Sequence, residues 1–446
     1  MIWARVLRAA FVAATISMFA QMPALAQSNP TYIKLGLAKG VLYKPDGGPA
    51  PHVGVLVIHR TTNFLSHPAC TELSKRGFMV LCMNSRYDNN ETLLRFETVA
   101  LDVKAGIEFL KSQPGIGKIV LFGHSGGAGT VTFYQAVAEN GVAYCQAPDR
   151  LTKCGDDLAG LPKADGIVLA DGHPGEPVQI LRGLNPSYVY DPKTGKTKVI
   201  QALDPFDPRN GFNPNGVSHY SEAFQKRYFA AQSKEMNALI AQAQAGLKRG
   251  KDGGLFEDDG MMVIRGAGNP KGSDSGRAYL FVMDPDIAKI GTGTKPEKLL
   301  RNDGSIVTQI VKSVKAPMPG MAKDNRTFDA GTRLYTWRSF LSSDAMRSTN
   351  SIDGIDFCSS NNSATCALRS IGAPLLIATM GAHDFVRDNE VMYDGAKSKD
   401  KDLIVIEGAI HDFLPCKPCE KTPGQYSNVR KNLFDYVAAW LNKRYS

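Results

Sequence analysis

Short apolar runs alternate with helical segments from residue 32 to residue 171. Each apolar run is about five residues long, which is typical of strands that are buried on both faces. The runs occupy residues 54–58, 78–82, 118–122 and 166–170, and the helical segments between them occupy residues 68–76, 92–111 and 128–138. This alternation predicts an α/β fold, with a mostly parallel sheet that carries helices on both faces.

The alternation stops after residue 171 and resumes at residue 373. It resumes with apolar runs at 374–378 and 403–406 and a closing helix at 429–445. The interruption begins with many turn-forming residues, and its pattern then predicts a long helix and two short strands, at 220–248, 261–265 and 278–283. We therefore expect residues 172–372 to form a cap or lid inserted into one catalytic domain, made of residues 27–171 and 373–446.

The first 26 residues have the features of a signal peptide. Arg5 and Arg8 form a basic region, residues 9–20 are apolar, and residues 24–26 (Ala-Leu-Ala) match the small-residue pattern at which such peptides are cleaved. The alternative is an uncleaved membrane anchor, but the apolar run is short for a span of roughly 20 residues. We expect cleavage after Ala26 and a periplasmic or secreted protein without stable membrane insertion.

The charge of the chain does not indicate a nucleic-acid partner. The formal net charge is +9, but the chain contains no run of five or six Lys and Arg residues, so the charge is diffuse. Charged residues make up 21% and hydrophobic residues 43% of the chain, as in ordinary globular proteins. Nothing in the sequence indicates an oligomeric state.

The eight cysteines point to disulfides, because their number is even and they follow a signal peptide. Three pairs are close in sequence and are the predicted disulfides: Cys145/Cys154, Cys358/Cys366 and Cys416/Cys419. The remaining two, Cys70 and Cys82, are either a fourth pair or two buried thiols. Zinc is an alternative for Cys416 and Cys419, but no second pair of ligands accompanies them, and we expect no metal.

The strongest chemical signal is residues 123–127, Gly-His-Ser-Gly-Gly, between a predicted strand and a predicted helix. A nucleophile elbow needs this context: the serine lies on a strained turn, and the glycines allow close backbone approach. The helix that follows favours developing negative charge at its N-terminus. Ser125 is therefore the candidate nucleophile, and the alternative is a glycine-rich turn without chemistry.

A serine hydroxyl needs a base within reach, and the elbow together with a later carboxylate and a later histidine resembles the α/β-hydrolase superfamily. The resemblance covers residues 32–171 and 373–444 and implies an α/β-hydrolase fold without a cofactor. In that family the base lies on the loop after the last strand. Among the eight histidines, His411 alone has this position; His124, inside the elbow, is expected to be structural.

The family also implies an acid between nucleophile and base, which accepts the ring N–H of the histidine. Asp384 follows the predicted strand at 374–378 and is the first candidate. Two rivals stay open: Asp388, four residues later, and Asp171, which follows the earlier strand at 166–170.

The oxyanion hole requires two backbone donors. The resemblance assigns one to the backbone of Gly126 and the other to the loop after the strand at 54–58, where Arg60 or Thr61 is the candidate. Many relatives have His-Gly in this loop, whereas this chain has His-Arg. The Arg60 side chain would either meet a carboxylate of the substrate or turn outward to solvent.

The resemblance implies an ester hydrolase that acts on a small-molecule ester. A peptidase or amidase of the same fold is the alternative, and a non-catalytic binding protein on this fold is a third hypothesis. The predicted cap is rich in aromatic residues near its start, which suits an apolar acyl or aryl pocket; the alternative is that they only pack the cap. The candidate substrate-binding residues are Phe206, Phe212, Phe224 and Tyr228.

Overall fold

A computed structural model describes residues 30–190, 194, 197–250, 260–264, 279–312 and 333–445. The predicted signal peptide, residues 1–26, lies outside the described residues. In the described part of the chain, no helix combines the length and the apolar character that a membrane span requires.

A ten-stranded sheet forms the centre of the molecule. In chain order its strands are β1 (Thr31–Leu35), β2 (Ala38–Tyr43), β3 (Val53–His59), β4 (Met79–Asn84), β5 (Lys118–His124), β6 (Gly166–Ala170), β10 (Pro296–Leu300), β11 (Ile306–Ile310), β13 (Leu375–Met380) and β14 (Lys401–Ile406). Their order across the sheet is β1-β2-β4-β3-β5-β6-β13-β14-β10-β11. The strands from β4 to β10 run parallel, and antiparallel strands occur only at the two edges.

Every residue of β3, β4, β6 and β13 is buried, which explains why these strands have continuous apolar sequences. Side chains alternate between two core layers: Leu56 and Ile58 lie in one, Val55 and Val57 in the other. The first layer is covered by α2 (Val99–Lys111) and α3 (Gly127–Asn140), the second by α1 (Pro68–Ser74) and α11 (Val429–Tyr445). The predicted parallel sheet with helices on both faces is confirmed.

The prediction that all of residues 172–372 form a cap is wrong in two places. β10 pairs in parallel with β14, and β11 pairs with β10, so this part of the segment extends the central sheet. Helix α9 (Ala364–Ala367) packs on α3, and its alanines belong to the core of the sheet domain. The sequence did not reveal β10 because its first three residues, Pro-Glu-Lys, are exposed or half-buried and only the last two are buried.

The other elements of the segment form smaller units beside the sheet. They are α4 (Glu176–Gly183), β7 (Tyr188–Tyr190), β8 (Thr197–Val199), α5 (Glu222–Gly250), β9 (Met261–Ile264), α6 (Tyr279–Met283), α7 (Pro285–Ala288), β12 (Arg333–Thr336) and α8 (Trp337–Ser339). Helix α10 (Val386–Gly395) follows β13. The long helix and the strand at 261–265 are confirmed as α5 and β9. The strand predicted at 278–283 is wrong, since α6 occupies it; a short apolar run does not distinguish helix from strand.

All eight cysteines form disulfides. The three predicted pairs are confirmed, with Cα–Cα distances of 5.6 Å for Cys145–Cys154, 5.2 Å for Cys358–Cys366 and 5.2 Å for Cys416–Cys419. The fourth, Cys70–Cys82, joins α1 to β4 across 6.1 Å and closes the question that the sequence left open. Because Cys416 and Cys419 bond each other, their sulfurs are not available as zinc ligands.

Candidate active site

Ser125 lies on a sharp turn between β5 and α3. Its φ angle is +58°, a left-handed conformation that is unfavourable for a residue with a side chain. Two glycines of the motif permit the turn: a Cβ on Gly127 would lie 2.5 Å from the carbonyl oxygen of Ile58, and one on Gly123 would lie 2.8 Å from that of Gly127. The turn therefore has the strained geometry of a nucleophile elbow.

His411 lies on the loop after β14 and faces Ser125. Its Nε2 is 2.9 Å from Ser125 Oγ, and its Nδ1 is 2.6 Å from Asp171 Oδ2. A carboxylate accepts from Nδ1–H, so Nε2 carries the lone pair and accepts from the serine hydroxyl. The structure thus brings the predicted nucleophile and the predicted base into direct hydrogen-bond contact.

The assignment of the acid to Asp384 needs correction, because Asp171 occupies the place beside His411 Nδ1. Asp171 follows β6, has a φ angle of +45° and is completely buried. Its other oxygen, Oδ1, accepts the backbone N–H of Met380 at 3.0 Å and the hydroxyl of Thr379 at 3.3 Å, both at the end of β13. The other rival, Asp388, forms an ion pair with Arg182 at 2.9 Å.

The turn after β13 explains why Asp384 does not take this role. It brings the preceding residue, His383, to Asp171, with Nδ1 lying 2.8 Å from Oδ2. Burial alone would raise the pKa of Asp171, but His383 and His411 outweigh it and hold that pKa far below its ordinary value. The two imidazoles and the carboxylate could geometrically share a metal ion, but such an ion would compete for the His411 nitrogen that bonds Asp171.

A chain of buried histidines holds the backbone of the base loop. His67 Nδ1 accepts the N–H of Ala69 at 3.2 Å, so its Nε2 carries the hydrogen and donates to His124 Nδ1 at 3.0 Å. His124 Nε2 then donates to the carbonyl of His411 at 3.0 Å. Burial is the main cause that lowers the pKa of His67 to about 3 and that of His124 well below its usual value, so both rings stay neutral. The structural role expected for His124 fits these contacts.

A second histidine touches the nucleophile. His173 Nε2 is 3.1 Å from Ser125 Oγ, and His173 Nδ1 is 3.2 Å from Glu176 Oε2. Neither residue was predicted from the sequence. The available signal was their position: they follow β6 directly, at the same edge of the sheet as Ser125.

The Arg60 side chain is buried rather than turned to solvent, and it lies against the elbow. Its Nη2 is 2.9 Å from Glu91 Oε1 and 3.1 Å from Glu176 Oε2, while Nη1 lies so close to the Cα of Gly126 that a Cβ there would collide with it. Burial would lower the pKa of Arg60, but Glu176 and Glu91 outweigh it and raise that pKa above its usual value. The guanidinium is therefore permanently charged.

The other oxyanion candidate, Thr61, has its backbone N–H engaged: it donates to His59 Nδ1 at 3.1 Å, and the N–H of Thr62 donates to the same nitrogen at 2.8 Å. The backbone N–H of Thr61 is therefore engaged, whereas the Arg60 side chain, a different donor from the backbone N–H expected from the sequence, lies against Gly126. Gly126 is the N-cap residue of α3 and follows Ser125 directly, and its role as an oxyanion donor stays a prediction.

The cavity above Ser125 is small and polar, with a volume of about 350 Å³. Most of its lining residues are histidines or charged: His59, His124, His173, His411, Arg60, Arg333, Glu91, Glu176 and Asp412. Arg333 pairs with Glu91 at 2.9 Å and with Glu176 at 3.2 Å, so the two arginines and the two glutamates balance each other. The cavity is polar without a surplus of positive charge, so a carboxylate on the substrate has no unpaired cation to meet among these four residues.

The four aromatic residues predicted to bind substrate are not among those that line this cavity. Phe206, Phe224 and Tyr228 are at most 1% exposed and pack together with Leu280 and Met283, and Phe212 packs against the same cluster. They form the core of one unit of the inserted segment. Their predicted role is therefore corrected from substrate binding to packing.

The strand order, the elbow after the central strand β5 and the histidine after β14 are those of the α/β-hydrolase fold. Among solved structures, the chain is similar to Est1E from Butyrivibrio proteoclasticus (10% identity, 93% of this chain and 98% of that chain, TM-score 0.39). It is also similar to a soluble variant of monoglyceride lipase from Saccharomyces cerevisiae (13%, 95% and 98%, 0.41) and to dienelactone hydrolase from Anabaena variabilis (10%, 94% and 98%, 0.35). No model of a protein family and no curated protein sequence matches the chain.

Proposed function

We propose that this protein is an exported serine hydrolase that cleaves carboxylic esters of small, polar molecules through an acyl-enzyme on Ser125. The observation that carries the proposal is the hydrogen-bond chain from Ser125 Oγ to His411 and on to Asp171, at 2.9 and 2.6 Å. A serine at an elbow, an imidazole and a buried carboxylate in this order are the parts that nucleophilic acyl transfer requires.

In the first half of the reaction, His411 Nε2 accepts the hydroxyl proton while Ser125 Oγ bonds to the carbonyl carbon of the ester. Asp171 stabilises the imidazolium that forms. The bond to the leaving alcohol then breaks, and His411 returns the proton to the alcohol oxygen. Water cleaves the resulting acyl-enzyme in the second half and releases the acid.

The negative charge that develops on the carbonyl oxygen requires donors aimed at it. The backbone N–H of Gly126 and the guanidinium of Arg60 are the donors that we assign. Arg60 is suited to this role because Glu91 and Glu176 fix it before substrate arrives, and a preorganised charge needs no rearrangement during the reaction.

The lining of the cavity supports a small, polar substrate. Long acyl chains gain affinity from apolar walls, whereas this cavity is lined mainly by imidazoles and ion pairs. Export is supported by the four disulfides, which persist in oxidising compartments.

The test uses the mature protein, a fluorophosphonate probe, and matched panels of p-nitrophenyl esters and aminoacyl anilides. We expect labelling of Ser125, faster turnover of acetyl and hydroxyacyl esters than of long-chain esters, and little cleavage of the anilides. Ser125→Ala should lose both labelling and turnover, by about 10³-fold or more. Faster cleavage of the anilides would show an amidase, and absence of labelling would show a non-catalytic protein.

A further inference from the structure

Ser125 Oγ lies between two imidazoles rather than beside one. His411 Nε2 is 2.9 Å away, and His173 Nε2 is 3.1 Å away. Each imidazole has its own carboxylate at Nδ1: Asp171 for His411, at 2.6 Å, and Glu176 for His173, at 3.2 Å. Two histidines, each with its own acid, therefore meet at the same serine hydroxyl.

The hydrogens of this arrangement can be assigned from the acceptors. A carboxylate accepts only, so each Nδ1 that faces one carries a hydrogen, and a neutral imidazole then presents a lone pair at Nε2. Both nitrogens that face Ser125 are thus acceptors. The hydroxyl has a single proton, and it can be donated to only one of them at a time. His411 has the shorter contacts on both sides, so it is the base for the hydroxyl, and the lone pair of His173 is left for another proton.

The surroundings of His173 keep it neutral and keep its carboxylate ionised. Burial is the main cause that lowers the pKa of His173, against the opposing effect of Glu176. Burial would raise the pKa of Glu176, but Arg60, the hydrogen bond from His173 and Arg333 outweigh it and hold that pKa well below its ordinary value.

His173 is also fixed in position. Its backbone N–H donates to the carbonyl of Ser125 at 3.0 Å, which ties the loop after β6 to the elbow itself. Its ring packs edge-on against Phe385, with centroids 4.8 Å apart. The imidazole faces the cavity, where water that attacks an acyl group on Ser125 would enter.

We propose that His173, oriented by Glu176, is a second general base of this site and that it activates the water that hydrolyses the acyl-enzyme. This role rests on the function proposed above and divides it between two histidines: His411 serves the formation of the acyl-enzyme, and His173 serves its breakdown.

The proposed step is balanced within the site. A water oxygen bonds to the acyl carbonyl carbon while His173 Nε2 takes one proton of that water, and Glu176 stabilises the imidazolium. The bond between the carbon and Ser125 Oγ then breaks. His173 returns the proton to Oγ, which it faces at 3.1 Å, and the carboxylic acid leaves.

The experiment follows p-nitrophenyl acetate hydrolysis by stopped flow in wild type, His173→Gln and the control His219→Gln, whose histidine is exposed. In His173→Gln we expect acylation to stay within about threefold of wild type and deacylation to slow about 100-fold, the typical contribution of a general base. A burst of p-nitrophenol and an acetyl adduct on Ser125, visible in the intact mass, should then appear. Glu176→Gln should slow deacylation as well, but with an added loss in acylation, because Glu176 also holds Arg60. His219→Gln should match wild type.

The outcomes separate this proposal from the simpler ones. Equal slowing of both steps in His173→Gln would mean a general disturbance of the site, and unchanged kinetics would mean that His411 serves both halves; either result overturns the role of His173. The rate of fluorophosphonate labelling shows in the same variant whether Ser125 and His411 are still intact. If the wild-type protein is neither labelled nor active, the proposed function itself fails.

Discussion

The carboxylate of Asp171 lies 2.6 Å from Nδ1 of His411, although 240 residues separate the two in the chain. β6 and β13 are neighbours in the sheet, and the carboxyl ends of both lie beside the loop that carries His411. The acid could therefore have come from the end of either strand. The positive φ of Asp171 and its two hydrogen bonds from the end of β13 fix its carboxylate at the base.

Asp171→Asn should reduce kcat/KM for p-nitrophenyl acetate by about 10⁴-fold, because an amide in place of the carboxylate favours the wrong tautomer of His411. Asp384→Asn and Asp388→Asn are the matched controls and should stay within about tenfold of wild type. Circular dichroism and thermal melting of all three variants show whether the fold is retained. A larger loss in Asp384→Asn than in Asp171→Asn would restore the assignment made from the sequence.

Arg60→Lys should lower kcat by about 10²-fold or more and leave KM nearly unchanged. A lysine retains the charge but cannot keep one nitrogen on the glutamates and another beside Gly126, so stabilisation of the transition state is lost. The control is Arg333→Lys. It changes an ion-pair partner of the same two glutamates but leaves the Arg60 guanidinium beside Gly126 in place. Equal losses in both variants would indicate that the ion-pair network acts only as a scaffold.

Stability should fall as the pH falls below about 6.5, because buried histidines are neutral in the folded protein. An unfolded histidine has a pKa near 6.5, whereas burial lowers the pKa of His67 to about 3 in the folded protein. Between these values the unfolded chain binds more protons, so the free energy of unfolding rises with pH and is lost as the pH falls. For His67 alone the loss at pH 4.5 is about 3 kcal/mol.

The measurement is the free energy of unfolding in urea at intervals from pH 4.5 to pH 7.5. His67→Gln should show a shallower dependence in this range, with His52→Gln, at an exposed position, as the control. His124, in contact with His67, also has a lowered pKa and adds to the wild-type slope. A slope in His67→Gln that equals the wild-type slope would contradict the assignment of a neutral, buried ring.

The sequence was sufficient for the buried strands at the centre of the sheet and for the elbow, and the reason is local. β3, β4, β6 and β13 are buried on both faces, so an uninterrupted apolar run marks each strand wherever it lies. The glycines around Ser125 are required by contacts with the adjoining strand and helix, so the motif and its fold context occur together. The position of His411 after the last parallel strand followed from the resemblance.

The rest of the site depends on which side chains meet across long distances in the chain. The turn after β13 presents His383 rather than Asp384 to Asp171, and a one-residue difference of this kind has no signature in hydrophobic pattern. The network of Arg60, Glu91, Glu176 and Arg333 combines four separate parts of the chain. Strand β10 was missed for a similar reason, since a strand next to the edge of the sheet with an exposed start lacks the pattern of a buried one.

The aromatic cluster of the inserted segment can be tested by truncating one ring, because a packing role and a substrate-binding role predict opposite effects on stability and on substrate preference. Phe224 is 1% exposed and stacks on Tyr220 and Tyr228, with centroids 5.2 and 5.7 Å away. Phe224→Ala should therefore lower the free energy of unfolding by about 3 to 5 kcal/mol. The ratio of kcat/KM between acetyl and octanoyl esters should stay the same, because the removed ring does not line the cavity above Ser125.

The comparison is Thr62→Val, at the cavity wall, where a less polar surface should shift this ratio toward the longer ester with little effect on stability. Activity is measured well below the melting temperature of each variant, so that unfolding does not mimic a loss of turnover. A shift of preference in Phe224→Ala at constant stability would return these aromatic residues to the role of substrate pocket that the sequence suggested.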